Sequence, residues 1–305
     1  MASPEPERLE AAARQVLSGH QLRGVLYVVA GAGLWGLNGV VGQVVLSGHG
    51  ISTQWLVMMR LAGAGLLLLL WFRPRFPRQY WRRLLVYGVL GIAAVQYTYF
   101  AAIHETNAAT ATFLQYTSIP MIATWQLLRG QSRLTLWLGL ALPAATAGTL
   151  LLAAGGGGSL AVSPLGLVLG LLSAVTAAIY ILASVPLIRV IGAWPTTTWG
   201  FVIGAVPLLV WSPPWAVQPT GNLPLLAALM VFVVLAGTLV AFGLFISSLH
   251  HISPTEAAIA GTAEPVVAAA AAYLILGINL RPLQYAGGAL ILVAVLLLRR
   301  PEQAT

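Results

Sequence analysis

No cysteine, no lysine and no aspartate occur anywhere in this chain. Without cysteine there is no disulfide, no thiolate metal site and no thiol nucleophile, and the redox compartment cannot be read. Histidines stand at 20, 49, 104, 250 and 251, with no His-x3-His or HExxH spacing, so neither a metal site nor a cofactor is expected. Charge of either sign is scarce. Charged residues make up 7% of the chain, where a soluble domain carries roughly 25%. That excludes a water-covered globular fold.

What the chain has instead is apolar material: 59% hydrophobic residues and a mean hydropathy of +0.88. A hydrocarbon core about 30 Å thick needs roughly 20 apolar residues per helical span. Ten such runs are predicted, at about 23–46, 52–72, 82–103, 107–128, 134–154, 164–190, 195–212, 224–248, 254–277 and 282–299. Between them fall breakers such as "RPRFPRQYWRR", "GGGGS" and "SPPWAVQPTGN". The N-terminal stretch has three glutamates and no apolar core, so it does not read as a signal peptide. Residues 6–18 fit either a short helix lying on the membrane or a frayed cytoplasmic tail.

The net charge of +8 comes from arginine alone. A basic balance can signal nucleic-acid binding, but the placement points to topology. With the N-terminus inside, thirteen arginines face inward (8, 14, 23, 73, 75, 78, 82, 83, 129, 133, 189, 299 and 300) and Arg281 alone faces outward. The positive-inside rule then sets both termini in the cytoplasm. The location expected is the inner (cytoplasmic) membrane.

One stretch is written twice. "NAATATFLQYTSIP" at 107–120 is echoed by "ISPTEAAIAGTAEP" at 252–265; Phe100 and Phe245 precede the copies, Pro120 and Pro265 end them, and both pairs lie 145 residues apart. "STQW" at 52–55 and "TTTW" at 196–199 repeat in the same sense. The first copy falls on the fourth span and the second on the ninth. Because five is odd, a five-helix repeat must invert. The fold expected is therefore all-α and integral to the membrane, with ten transmembrane helices in two inverted five-helix repeats. The parts are a tail at 1–22, repeats at 23–154 and 164–299, a Gly-rich linker at 155–163 and a tail at 300–305. Inverted repeats are a transporter architecture, with the substrate site near the midplane between the halves.

The stretches "LWGLNGVVGQ" at 34–43, "MMRLAGAGLLLLL" at 58–70, "AEPVVAAAAAYLILG" at 263–277 and "YAGGALILVAVLLL" at 285–298 resemble, in that order, the drug/metabolite transporter superfamily and its EamA-like exporters. The likeness covers residues 23–299. It departs where "LLRGQS" and "LILGINL" stand in place of the family's glutamate after the Leu-Gly that ends the fourth and ninth spans. The resemblance implies export of amino acids and related small metabolites, without ATP and driven by gradients.

Glu264 lies about ten residues into its span, roughly 15 Å deep. An ionised carboxylate there must be paired, protonated or exposed to a water-filled cavity. It reads either as a site for substrate amines or protons, or as a structural carboxyl pinning the Pro265 kink. The first repeat has no matching acid. Pro120 and Pro265 each free a backbone carbonyl inside a span, as gating kinks or as packing kinks. Arg60 lies roughly 12 Å from the outer end of its span. It is a candidate charge partner for a substrate carboxylate or Glu264, or else a packing arginine that snorkels outward.

Trp35, Asn38, Gln96, Tyr99, Gln115, Tyr116 and Tyr180 fall at mid-span on shared faces and are candidate substrate contacts, since small-molecule pockets are apolar with a few polar groups. Trp71, Trp81, Trp194, Trp211 and Trp215 stand at span ends, where indoles anchor, and are set aside. Gly166, Gly170, Ala174 and Ala178, and Gly200 with Gly204, read as small packing faces. His250 and His251 read as loop residues or pH sensors, and Glu256 as a first-turn acid favoured by the helix dipole.

A secondary transporter working by alternating access is thus expected, with small-molecule substrate, lipid bilayer and protons as partners and a monomer or weak dimer as the unit. The alternatives are a multidrug or other small-molecule exporter, or an uncoupled facilitator or channel. No charged ring marks an ion channel. Glu264, Glu256, His104 and Arg60 sit at different depths, so no acid–base pair for an enzyme is evident.

Overall fold

The computed structural model describes residues 19–130, 136–154, 162–252, 257 and 260–297. The expectations for the 6–18 helix, the Gly-rich linker up to residue 161, Glu256 and the C-terminal tail lie outside the described residues. Within them the chain is all helix, with no strand. In chain order the rods are α1 (Gly19–Gly48), α2 (Thr53–Phe72), α3 (Arg78–Glu105), α4 (Ala108–Tyr116), α5 (Ser118–Leu128), α6 (Leu136–Ala154), α7 (Pro164–Ile191), α8 (Ala193–Trp211), α9 (Leu223–Ser248), α10 (Ala263–Leu276) and α11 (Pro282–Leu297). By length and composition α1, α2, α3, α7, α8 and α9 are long and apolar enough to cross a membrane; α10, α11 and the middle of α6 are shorter apolar helices.

Helix starts follow side-chain capping. Ser52, Asn107, Ser163 and Asn222 each accept from the backbone N–H three residues on, at 2.9–3.4 Å. That satisfies one orphan donor per helix. Pro164 stands in the first turn of α7, where its missing N–H costs nothing.

Two rods are unusual at matching places. Val86–Ala93 in α3 and Phe232–Val240 in α9 are wound as wider π-helix. Such segments displace carbonyls from their usual partners and recur at functional sites. The fourth run is not one continuous helix. It breaks at Thr117 between α4 and α5, and the chain entering α10 breaks in the same way at Thr262. Pro120 and Pro265 are each the third residue of the helix after the break. They therefore sit in a first turn, not in a helix interior.

Packing pairs the rods across the chain. α1 lies against α9 and α10, and α7 lies against α3, α4 and α5; α2 runs along α8, and α6 along α11. Small residues allow these approaches. A Cβ on Gly204 would stand 2.6 Å from the Gly88 carbonyl oxygen, so α8 meets α3 backbone to backbone. On α7 the buried Gly166, Gly170 and Ala174 form the small face, with Gly170 seated on Leu114 of α4. Of the indoles set aside as anchors, Trp71, Trp81, Trp211 and Trp215 are at least half exposed, whereas Trp194 is half-buried and stacks on Phe72 with centroids 4.7 Å apart.

Candidate functional site

The two breaks meet. Pro120 leaves the carbonyl of Tyr116 without its helical N–H partner, and Pro265 does the same to the carbonyl of Gly261. The Tyr116 hydroxyl, 145 residues away, donates to the Gly261 oxygen at 2.7 Å. The Glu264 N–H also reaches that oxygen, at 3.1 Å. The Tyr116 hydroxyl stands in addition 3.1 Å from the Glu264 carboxylate. A phenol has one hydrogen, so it cannot give full-strength bonds to both acceptors. The shorter contact holds the carbonyl and the longer one holds the acid.

Helix α1 forms the wall behind this junction. A Cβ on Gly36 would lie 2.7 Å from the Glu264 carbonyl oxygen and 2.9 Å from the Ala268 nitrogen, both backbone atoms that cannot swing aside. Gly36→Ala is therefore expected to push α1 off α10 and lower stability by about 1–3 kcal/mol, the usual cost of overpacking. Thermal unfolding in detergent, followed by tryptophan fluorescence, checks this. A midpoint equal to the native one would remove the contact from the argument.

A second polar centre surrounds Arg60. Its side chain is 3% exposed and turns into the protein. Nε donates to Thr238 Oγ1 at 2.7 Å, Nη1 to Gln96 Oε1 at 2.7 Å and Nη2 to the Gly237 carbonyl at 3.3 Å. The Asn38 amide, with its oxygen toward the guanidinium, accepts from Nη1 at 3.2 Å and Nη2 at 3.3 Å. Phe100 lies face-on, 5.5 Å from Cζ to the ring centroid. The expectation that Arg60 snorkels to the outer surface is not met. Five neutral oxygen contacts serve its five N–H donors inside the bundle, so the outward route offers nothing further.

No carboxylate lies within ion-pair distance of this cation among the described residues; the one pair there is His104 with Glu105, at 3.6 Å. Arg60 and Glu264 attract each other only through space.

The π-helix explains how α9 reaches Arg60. The Thr238 hydroxyl donates to the Val233 carbonyl five residues back, at 2.7 Å. That leaves its oxygen and the Gly237 carbonyl facing the guanidinium. Neither Gly237 nor Thr238 is among the candidates read from the sequence. A signal existed, because Thr238 is the one hydroxyl in the apolar run 223–246. Gly261, the acceptor at the junction, was equally unmarked.

The other candidates fall into separate groups. Tyr99 shares a hydrogen bond with Thr112 at 2.8 Å, and its hydroxyl fills the space beside Gly39. Gln115 donates to Ser173 at 2.8 Å, and Tyr180 stacks on Tyr87 with centroids 5.6 Å apart. Both lie on the seam between α7 and the α3–α4 pair. Trp35, next to Gly36, turns toward α9 and packs on Phe242 and Phe245 at 5.0 and 5.6 Å. The structure thus joins Tyr116 with Glu264, and Asn38 with Gln96 and Arg60. It leaves Gln115 and Tyr180 on a different face.

A membrane bundle with broken helices and a half-buried acid invites comparison with carriers. The profile of the EamA-like transporter family matches residues 22–154 and again residues 164–300. The chain belongs to the EamA-like transporter family. It is 32% identical over 292 residues to the uncharacterized inner membrane transporter YicL of Salmonella typhimurium (strain LT2), covering 92% of this chain and 96% of that one. One solved crystal structure aligns with a TM-score of 0.62 over 90% of this chain and 95% of its own, at 18% identity, a likeness of fold alone. Membership of this family makes the chain a multi-helix membrane transporter of small molecules, within the drug/metabolite transporter superfamily.

Proposed function

We propose that this chain is a secondary transporter that moves amino acids or related small metabolites out across the inner membrane by alternating access, with protons as coupling ion. The observation that carries the reading is the Tyr116 hydroxyl, bonded to the Gly261 carbonyl at 2.7 Å and standing 3.1 Å from Glu264. Tyr116 and Gly261 each precede a helix break in their half, and they are 145 residues apart, the spacing of the sequence echo. The contact thus ties together corresponding hinges of two halves.

The reading takes residues 23–154 and 164–299 as inverted five-helix repeats, ten spans in all, with both termini cytoplasmic. The family profile matching each half separately supports the duplication. So do the π-helical segments at matching places in α3 and α9, and the packing. Exchanging the halves carries the contacts of α1 with α9 and α10 onto those of α7 with α3 and α5. Such pseudo-symmetry lets one sequence reach two states by swapping the roles of its halves.

Glu264 links chemistry to that motion. Ionised, it draws the Tyr116 hydrogen away from the Gly261 carbonyl. Protonated, it donates to the phenol oxygen and leaves the Tyr116 hydrogen to that carbonyl. Proton occupancy thereby biases the hinge of α10, with Pro120 and Pro265 fixing where each span bends. A substrate ammonium competes with the proton for the same carboxylate, while Arg60, partnered only by neutral groups, attracts the substrate carboxylate. Trp35, Asn38, Gln96 and Tyr99 supply the walls on one side, Gln115 and Tyr180 those on the other.

The test is flux of a labelled amino-acid panel into proteoliposomes, with and without a pH gradient. Saturable, selective and trans-stimulated flux is expected for at least one amino acid. If none moves, the amino-acid assignment falls. Conductance far above carrier turnover would favour a channel. A second reading has support of its own: the aromatic wall of Trp35, Phe242 and Phe245 suits organic cations. Cationic drugs belong in the same panel.

A further inference from the structure

A groove of about 330 Å³ opens where α3 begins, lined by Arg82, Arg83 and Val86 of α3 and by Ala183 and Pro186 of α7. We propose that this groove binds the phosphate of an anionic phospholipid, with the acyl chains running along the exposed apolar flanks of α3 and α7.

The first argument is charge. Arg73, Arg75, Arg78, Arg82 and Arg83 crowd one end of the bundle, and no acidic residue occurs between Glu10 and Glu105. Arg82 and Arg83 sit in the opening turns of a long helix, at the positive end of its dipole. Cations are disfavoured at that end, and an anion there answers both. The described carboxylates cannot supply it. Glu105 ends the same 28-residue rod that Arg78 begins, roughly 40 Å away at 1.5 Å per residue. Glu264 is held at the Tyr116 junction. Arg82 lies over the Trp81 ring at 5.4 Å, a stack that fixes the guanidinium beside the groove.

The second argument is the wall. Below the arginines the surface turns apolar at once: Trp81, Leu85 and Val86 on α3 and Val185, Ile188 and Val190 on α7 are all about 40–50% exposed. A free anion has no use for such a surface. A molecule with a phosphate at one end and hydrocarbon at the other matches both parts. Basic pockets between transmembrane helices are suited to anionic headgroups.

The measurement is lipid retention by native mass spectrometry of the full-length protein, together with its unfolding midpoint in detergent, each with phosphatidylglycerol or phosphatidylcholine of the same chains. A preference for the anionic lipid on the order of tenfold is expected, along with a raised midpoint. Arg82→Gln/Arg83→Gln should lose both, and Arg75→Gln, outside the groove, should keep them. Equal retention of the two lipids overturns the proposal, as does a double variant that keeps the preference. A midpoint raised as much by inorganic phosphate points to a free-anion site and also overturns it. A preference that emerges only in Glu5→Gln/Glu7→Gln/Glu10→Gln would make the acidic tail the occupant and the lipid proposal wrong.

Discussion

Glu264→Gln is expected to lower pH-gradient-driven flux in proteoliposomes to the level of protein-free vesicles. Glutamine keeps the shape and can still accept a hydrogen bond from Tyr116, but it neither binds nor releases a proton. It also cannot neutralise a substrate ammonium in a medium where an unpaired charge is costly. The fold should survive, because the acid meets the Tyr116 hydroxyl through an oxygen that glutamine retains. Its unfolding midpoint should therefore stay close to the native one. Two results would sink the proton role: full gradient dependence in the variant, or loss of flux accompanied by loss of the fold. Exchange of substrate in the absence of a gradient separates the two functions of the carboxyl. If exchange persists while the gradient response is lost, the acid carries protons and another group holds the substrate.

Arg60→Leu should be the most destabilising single change in the bundle. It leaves Gln96, Asn38 and the Gly237 carbonyl without their donor inside the bundle. Breaking such a buried charged network costs about 3–5 kcal/mol. The expected readout is a lower unfolding midpoint in mild detergent. Arg60→Lys should fall between native and Leu, since a single ammonium cannot reproduce the planar fork that meets α1, α3 and α9 at once. If Arg60→Leu unfolds like the native protein, the network does not hold these helices together. Should Arg60→Lys be stable but inactive, the guanidinium acts on the substrate as well as on the fold. The chain contains no cysteine, so single thiols can be introduced for distance measurements across these helices without first removing native ones.

Much of this was legible before any coordinates. Composition fixed the membrane class, because 7% charged residues cannot cover a water-facing surface. Helix limits followed from the length of apolar runs and from Pro, Gly and capping residues, and most agree within a few residues. The doubled proline stretch pointed to the two places where helices break. Its detail came out differently. Each break falls at a threonine three residues before the proline, at Thr117 and Thr262, because a proline is tolerated in a first turn and not in an interior.

Residue types, their order and their spacing sufficed to say that this is a two-fold repetitive bundle of membrane helices with an acid in one of its apolar runs. Only the tertiary structure decided which way each polar side chain points. Arg60 read as a residue that could snorkel outward or turn inward, and Gly237, Thr238 and Gly261 looked like ordinary links in apolar runs. The reason is physical. In water, a helix marks its inner face by where the apolar residues recur. In a membrane both the lipid and the protein interior are apolar, so that periodicity fades. Which faces meet is then set by close backbone approach, at positions such as Gly36 on α10 and Gly204 on α3, and by pairing of the few polar groups across helices. Those partners lie as much as 178 residues apart in the chain, and nothing local to either end announces the other.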